Sequence, residues 1–293
     1  MVTVGPRLLE RFPRFSLYNS PYAAHERGCA LDLYPHEGDW REAKDDEESR
    51  KTAAPSPVSG EVVATRTVSA PPKPYAAEND HLIVVNTGPH LARILHVEPA
   101  IEPGDEVAVG DSLGEMVRSG FFAPWVDNHV HLGFREADAD PFRASGSLPV
   151  EMDAEANVVG VPWNGTGTVV ATGDTYVVLD APDHPAPGEA FAGISADGAV
   201  GGGILDGGLP HYDGGGVFGE GEPDGPVSLA GRQVGTANGR TITWDDLTVR
   251  ANGTPITGIS LFFAREALGA KLVCPDATFE MGEEVAVTIE ADS

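Results

Sequence analysis

Asn128-His129-Val130-His131-Leu132-Gly133-Phe134-Arg135 is the stretch on which the reading of this chain turns. It has the composition of a strand, and side chains two apart on a strand point to the same face, so His129 and His131 can share one pocket. Two further groups of candidate ligands sit on or beside strand-like runs. One is His25-Glu-Arg-Gly-Cys29-Ala-Leu-Asp32, and the other is His96 alone. Ligands far apart in sequence but carried by neighbouring strands are how β enzymes assemble a metal site.

Working outward, short β-type runs separated by Gly, Pro, Asn and Asp recur along the whole chain. Strands are predicted over Ala30 to Tyr34, Gly60 to Val68, His81 to Asn86, Ala92 to Val97, Glu106 to Val109 and His129 to Phe134. In Leu31-Asp32-Leu33-Tyr34 the leucines face one side and Asp32 the other. Glu42 to Ala54 reads as an exposed charged loop or short surface helix, with a helix candidate near Asp39 to Lys51. Ala70 to Asp80, with its prolines, reads as a loop. Asp138 to Asp153 resembles a connector. Beyond Val158 the chain turns Gly-rich, with strands predicted over Gly167 to Thr172, Tyr176 to Leu179, Arg240 to Thr243, Leu247 to Val249, Ile256 to Phe263 and Glu284 to Ile289. Gly198 to Gly225 shows no repeat and reads as a long irregular loop. Its Asp206, His211, Tyr212 and Asp213 are polar and flexible enough to cover a neighbouring cleft, though such loops are usually just solvated.

The expected fold is therefore mostly β, in two domains. An N-terminal extension (1–19) precedes a β domain (20–137). A connector (138–157) leads to a Gly-rich sandwich or barrel-like β domain of unknown role (158–293). With 293 residues, each half is long enough to bury its own core.

Composition excludes several classes. Forty-five acidic residues against nineteen basic ones give a formal charge of −26, which repels nucleic acid and anionic membrane surfaces. Because the acidity is spread evenly and apolar content stays at globular levels, the pattern is that of a halophilic protein. At molar salt the screening length falls to about 3 Å and surface repulsion is relieved. No apolar run is long enough to span a membrane. The N-terminus carries charges where a secretory signal needs an apolar core, so a cytoplasmic location is expected. Cys29 and Cys274, one in each presumed domain, make no disulfide framework, which fits a reducing compartment.

From Pro57 to Arg135 several segments together resemble the lysostaphin-type zinc endopeptidases built on the duplicated hybrid motif. Pro57-Val58-Ser59-Gly60 is similar to the family's turn after its first metal segment. Ile83 to Gly88 and Arg93-Ile94-Leu95-His96 are similar to its paired strands ending in Tyr-x-His-Leu. Ile101 to Gly114 is similar to its Gly-Asp-x-Val-x-x-Gly-x-x-Ile-Gly turn-strand-turn. His129-Val-His131-Leu-Gly-Phe-Arg135 is similar to its His-x-His strand.

The resemblance implies that His25, Asp32 and His131 are zinc ligands, and that His96 and His129 act on water and substrate without binding metal. Two imidazoles and one carboxylate would leave a fourth position for water, as in catalytic zinc sites. Zinc would lower that water's pKa to about 7, one histidine would take its proton, and the other would stabilise the oxyanion. The implied substrate is a peptide or amide.

The chain departs from the family in placing Asp32 seven residues after His25, where the family spacing is four and falls here on Cys29. Asp32 is preferred because Ala-Leu-Asp-Leu-Tyr-Pro reproduces the apolar-x-Asp-apolar strand and Gly28 permits a wider loop, although a Cys29 thiolate would also bind zinc. The neighbour of His96 also departs, Ile94 standing for the family Tyr. Other histidines (His36, His81, His90, His184, His211) read as surface or core residues, and Arg135 as closing a salt bridge or capping its strand. Phe121, Phe122 and Trp125 either floor a cleft or pack on the domain.

Two functions follow: a zinc hydrolase, or a non-catalytic binding or assembly module that keeps the fold and its metal. A biotinyl or lipoyl carrier is excluded, since Lys73 sits in Pro-Pro-Lys-Pro and not in a carrier hairpin.

Overall fold

The structure, a computed structural model, describes residues 1–35, 53–198, 203–219 and 224–292. It is mostly β and divides into two compact units. Among the described residues the first comprises 1–15, 29–35 and 53–156, and the second comprises 16–28 and 157–292. No helix among them is long and apolar enough to cross a membrane. The helix candidate near Asp39 to Lys51, and His36, lie outside the described residues.

The elements up to residue 152 are β1 (Val2–Val4), α1 (Pro6–Leu9), β2 (Arg14–Ser16), α2 (Ala23–Glu26), β3 (Ala30–Tyr34), β4 (Ala53–Pro55), β5 (Gly60–Ser69), β6 (Asn79–Asn86), β7 (His90–Leu95), β8 (Val97–Pro99), β9 (Glu106–Val107), β10 (Ser112–Met116), β11 (Val130–Glu136) and β12 (Val150–Met152). In the first unit the strand order β3-β11-β7-β6-β5-β9 runs antiparallel throughout.

Register fixes what each face carries. Asp32 pairs with His131 and Leu31 with Leu132, while across β7 His131 pairs with Leu95, Leu132 with Ile94 and Gly133 with Arg93. Alternation then puts Leu31, Leu33, Leu132, Ile94 and Ile83, all fully buried, on one face. Each such side chain contributes roughly 1.5 to 3 kcal/mol on burial. The opposite face carries Asp32, His131, Arg93 and Arg135.

Several sequence-based boundaries need correction. The segment read as an N-terminal extension contributes core, with Leu9, Phe12, Phe15 and Leu17 fully buried. The presumed connector contains β12, which pairs in parallel with β1. The end of the charged loop forms β4, paired with β10. The strand expected over Ala92 to Val97 breaks at His96, whose φ of 71° lies in the left-handed region.

In the second unit a sheet of twelve strands runs antiparallel throughout, covering a core that includes Trp163, Leu205, Val217, Ile242, Trp244 and Leu272. Gly198 to Gly225, expected to be an irregular loop, supplies two of its strands, Ile204–Leu209 and Gly214–Phe218, which pair with each other. The glycines hid this from periodicity because they carry no side chain to alternate. Their positions are filled by neighbours: a Cβ on Gly215 would collide with the Trp244 ring, and one on Gly216 with the Tyr18 ring. The single strand expected over Ile256 to Phe263 is instead Thr254–Ile256, Gly258–Leu261 and Phe263–Ala264.

Candidate metal centre

Strands β3 and β11 set the first two donors on one rung. Asp32 Oδ1 lies 3.0 Å from His131 Nδ1. Two donors about 2.0 to 2.2 Å from one tetrahedral zinc ion stand a little over 3 Å apart, so the spacing fits a shared cation. His25 comes from α2, a single helical turn in the wide loop ahead of β3. Gly28 makes this turn possible: its φ is 59° and a Cβ there would lie 2.5 Å from the Tyr18 hydroxyl. Ligand atoms of His25, Asp32 and His131 all fall within 4.8 Å of one another. This cluster is able to bind a metal ion, and Cys29 is not part of it.

The ring of His25 is oriented by its other nitrogen. Nδ1 lies 2.6 Å from the Leu17 carbonyl, an acceptor only, so Nδ1 carries the proton and Nε2 the lone pair. Metal-binding histidines are commonly held this way. The carbonyl is itself anchored. Fully buried Asp206 accepts hydrogen bonds from Ser16 Oγ at 2.6 Å, Leu17 N at 2.6 Å and Tyr18 N at 3.1 Å. Burial pushes the Asp206 carboxyl up to about 6, against the pull of those three donors and of His25.

The remaining predicted residues stand beside the cluster. His129 Nδ1 donates to the Asp127 carbonyl at 2.9 Å, and its Nε2 lies 3.2 Å from Asp32 Oδ1. Its ring is confined by Tyr34, Phe122 and His96, with centroids at 5.1, 4.3 and 5.2 Å. The His96 ring in turn lies 5.7 Å from that of His131.

His96 is fixed by groups that sequence reasoning missed. Asp80, fully buried, takes its Nδ1 at 2.6 Å and its backbone N–H at 3.1 Å, and also accepts from Ser119 Oγ at 2.6 Å. Burial alone would raise the Asp80 carboxyl. The His96 charge, with the hydrogen bonds from His96, Ser119 and the His81 N–H, outweighs it and brings the group down to about 2. In a chain with forty-five acidic residues no sequence signal separates this carboxylate from the rest.

The aromatic loop packs on the site. Phe122 is buried, its ring 4.6 Å from that of His96, and its carbonyl accepts from Lys73 Nζ and Tyr75 Oη, each at 2.8 Å. Arg118 ties the same loop by donating to the carbonyls of Ala123, Pro124 and Val126. Arg135 makes no salt bridge among the described residues; it donates to Ser147 Oγ and the Arg143 carbonyl. His184 is satisfied by the Ala264 carbonyl and the Ala186 N–H, and His211 is half-buried with its ring against Tyr212.

Fold and site together define a mostly β, two-domain protein with a candidate metal-binding centre. The chain belongs to the family described as Domain of unknown function (DUF8155), whose N-terminal domain matches residues 3–152 and whose C-terminal domain matches 159–290. No curated protein matches it. Among solved structures, the antimicrobial peptidase lysostaphin from Staphylococcus simulans is similar at 16% identity over 96% of each chain, with a TM-score of 0.29. A chain of the SpoIIQ-SpoIIIAH pore-forming complex is similar at 14% identity over 42% of this chain and 85% of its own, with a TM-score of 0.23.

Proposed function

We propose that this protein is a zinc-dependent hydrolase of peptide or amide bonds. The observation that carries the reading is the convergence of His25, Asp32 and His131 within 4.8 Å, with His129 Nε2 against Asp32 and with His96 locked to Asp80. The order of motifs in the sequence supports the same conclusion.

The donor set fits zinc: two imidazoles and a carboxylate, with a fourth position left over. His25 would bind through Nε2, the nitrogen its hydrogen bond to the Leu17 carbonyl leaves free, and Asp32 and His131 through Oδ1 and Nδ1, the atoms that stand 3.0 Å apart. When bound, zinc supplies Lewis acidity and a water that ionises near neutrality.

The protein's own groups do the rest. His129, with its proton fixed on Nδ1 by the Asp127 carbonyl, has Nε2 available to accept a proton from water and later return it to the leaving amine. His96, its Nδ1 proton held by Asp80, presents its ring beside His129 and, as the imidazolium paired with that carboxylate, would donate from Nε2 to the developing oxyanion. Phe122 packs against both rings and Tyr34 against that of His129, which holds them in place.

The test is zinc content of the purified protein together with chelator-sensitive cleavage of short Gly-containing peptides, restored by Zn²⁺. A folded, zinc-loaded protein that cleaves nothing in a broad peptide library would replace this reading with that of a binding or assembly module.

A further inference from the structure

Beyond Asp32 and His131, two arginines share the same sheet face. Arg93 pairs with Gly133, the residue between His131 and Arg135, and Leu91 pairs with Arg135. The two guanidiniums oppose each other electrostatically, and among the described residues neither is paired with a carboxylate. Arg135 is fully enclosed and spends its terminal nitrogens on neutral oxygens. Arg93 is half-buried and makes no hydrogen bond or ion pair with any described residue, and its Nε is shielded from water. Burial and the Arg135 charge bring its pKa down to about 10. Cys29 is the one group that opposes this on Arg135, and an ordinary thiol is mostly neutral near pH 7.

This is unusual in a chain so rich in carboxylates. Buried Arg14 has Asp127 at 2.5 Å, and Arg250 on the surface has Glu290 at 2.9 Å. Enclosed cations without counter-charge are costly, and a planar carboxylate is the group a guanidinium fork accommodates best. Gly133 and Ala30, which share the rung of Arg93 two residues along each strand from His131 and Asp32, add little bulk to that face. Two residues along a strand is about 7 Å, the span of about two residues of an extended peptide.

We propose that Arg93, backed by Arg135, is the subsite for a carboxylate that the substrate carries one or two residues from the bond to be cut. The substrates are then short peptides ending in a free carboxylate near that bond. The inference rests on the hydrolase reading for its placement of the scissile bond.

The full-length protein is titrated calorimetrically with acetyl-diglycine and with its C-terminal amide, both zinc-loaded and after chelation. The acid should bind about tenfold or more tighter than the amide, and part of that preference should survive chelation because it does not come from the metal. Arg93→Gln should abolish the preference and Arg93→Lys should keep part of it, neither with a lowered melting temperature. Equal affinities for acid and amide, no binding of either, or a preference untouched by Arg93→Gln would overturn the subsite. Zinc content is measured separately: an Arg93-dependent preference in a protein that binds no zinc would sink the hydrolase and leave the anion site standing.

Discussion

His129 Nε2 stands 3.2 Å from Asp32 Oδ1, an oxygen that also meets His131 Nδ1 at 3.0 Å. With its Nδ1 proton committed to the Asp127 carbonyl, His129 faces that carboxylate with a lone pair unless a proton or cation intervenes. His131 on β11 and His129, which immediately precedes that strand, therefore have separable tasks.

His131→Ala should abolish stoichiometric zinc binding. His129→Ala should retain the metal and lose roughly 10² to 10⁴ in turnover, the usual cost of removing a well-placed acid-base group. Metal analysis of both variants decides the matter, and equal zinc loss in the two would refute the division of roles.

Asp80 should make stability depend on acid pH. Its carboxyl titrates near 2 in the fold against an ordinary 3.8, so its stabilisation is complete above pH 4 and is lost as pH falls toward 2. The contribution is about 2 kcal/mol. Urea midpoints for the wild type and Asp80→Asn should differ at pH 6 and converge near pH 2. A gap that stays constant with pH would remove Asp80 as the cause.

Asp206 should act on metal affinity through Leu17 and His25. Asp206→Ala frees the three donors that fix the Leu17 carbonyl, and zinc affinity should fall about 10- to 100-fold. Competition against a chelating indicator measures it, with Ser16→Ala as the milder companion. Unaltered affinity in a folded Asp206→Ala protein would show that His25 needs no such support.

Zinc removal should lower thermal stability by mass action. At a free zinc concentration one hundred times the dissociation constant the bound ion contributes about 2.7 kcal/mol. Melting with and without chelator should show this loss in the wild type and not in His131→Ala.

The glycine strands offer a test of packing alone. Gly215→Val would drive a side chain into the Trp244 ring and should cost about 1 to 3 kcal/mol or more. Denaturant midpoints read it, and wild-type stability would contradict the packing assigned to Trp244.

The sequence yields what local pattern determines. Alternation in Leu31-Asp32-Leu33 and in His129-Val-His131 is enough to orient β3 and β11, since strand geometry leaves each side chain only two directions. It does not yield partners distant along the chain. Asp80 reaches His96 across sixteen positions and Asp206 reaches Ser16 across one hundred and ninety, and neither carboxylate stands out in so acidic a background. Ile204–Leu209 and Gly214–Phe218 escaped because glycine leaves no apolar period to read, and Val2–Val4 because its partner, Val150–Met152, lies at the far end of the unit.

The rung shared by Asp32 and His131 has a consequence for how the chain finds its fold. A slip of one residue between β3 and β11 would turn Asp32 into the apolar interior and set a leucine opposite His131. A metal ion gripped by both strands would thus be a clasp that closes only on the native alignment. Zinc uptake during refolding would then report when that alignment is reached, marking correctly threaded molecules before the rest of the chain has settled.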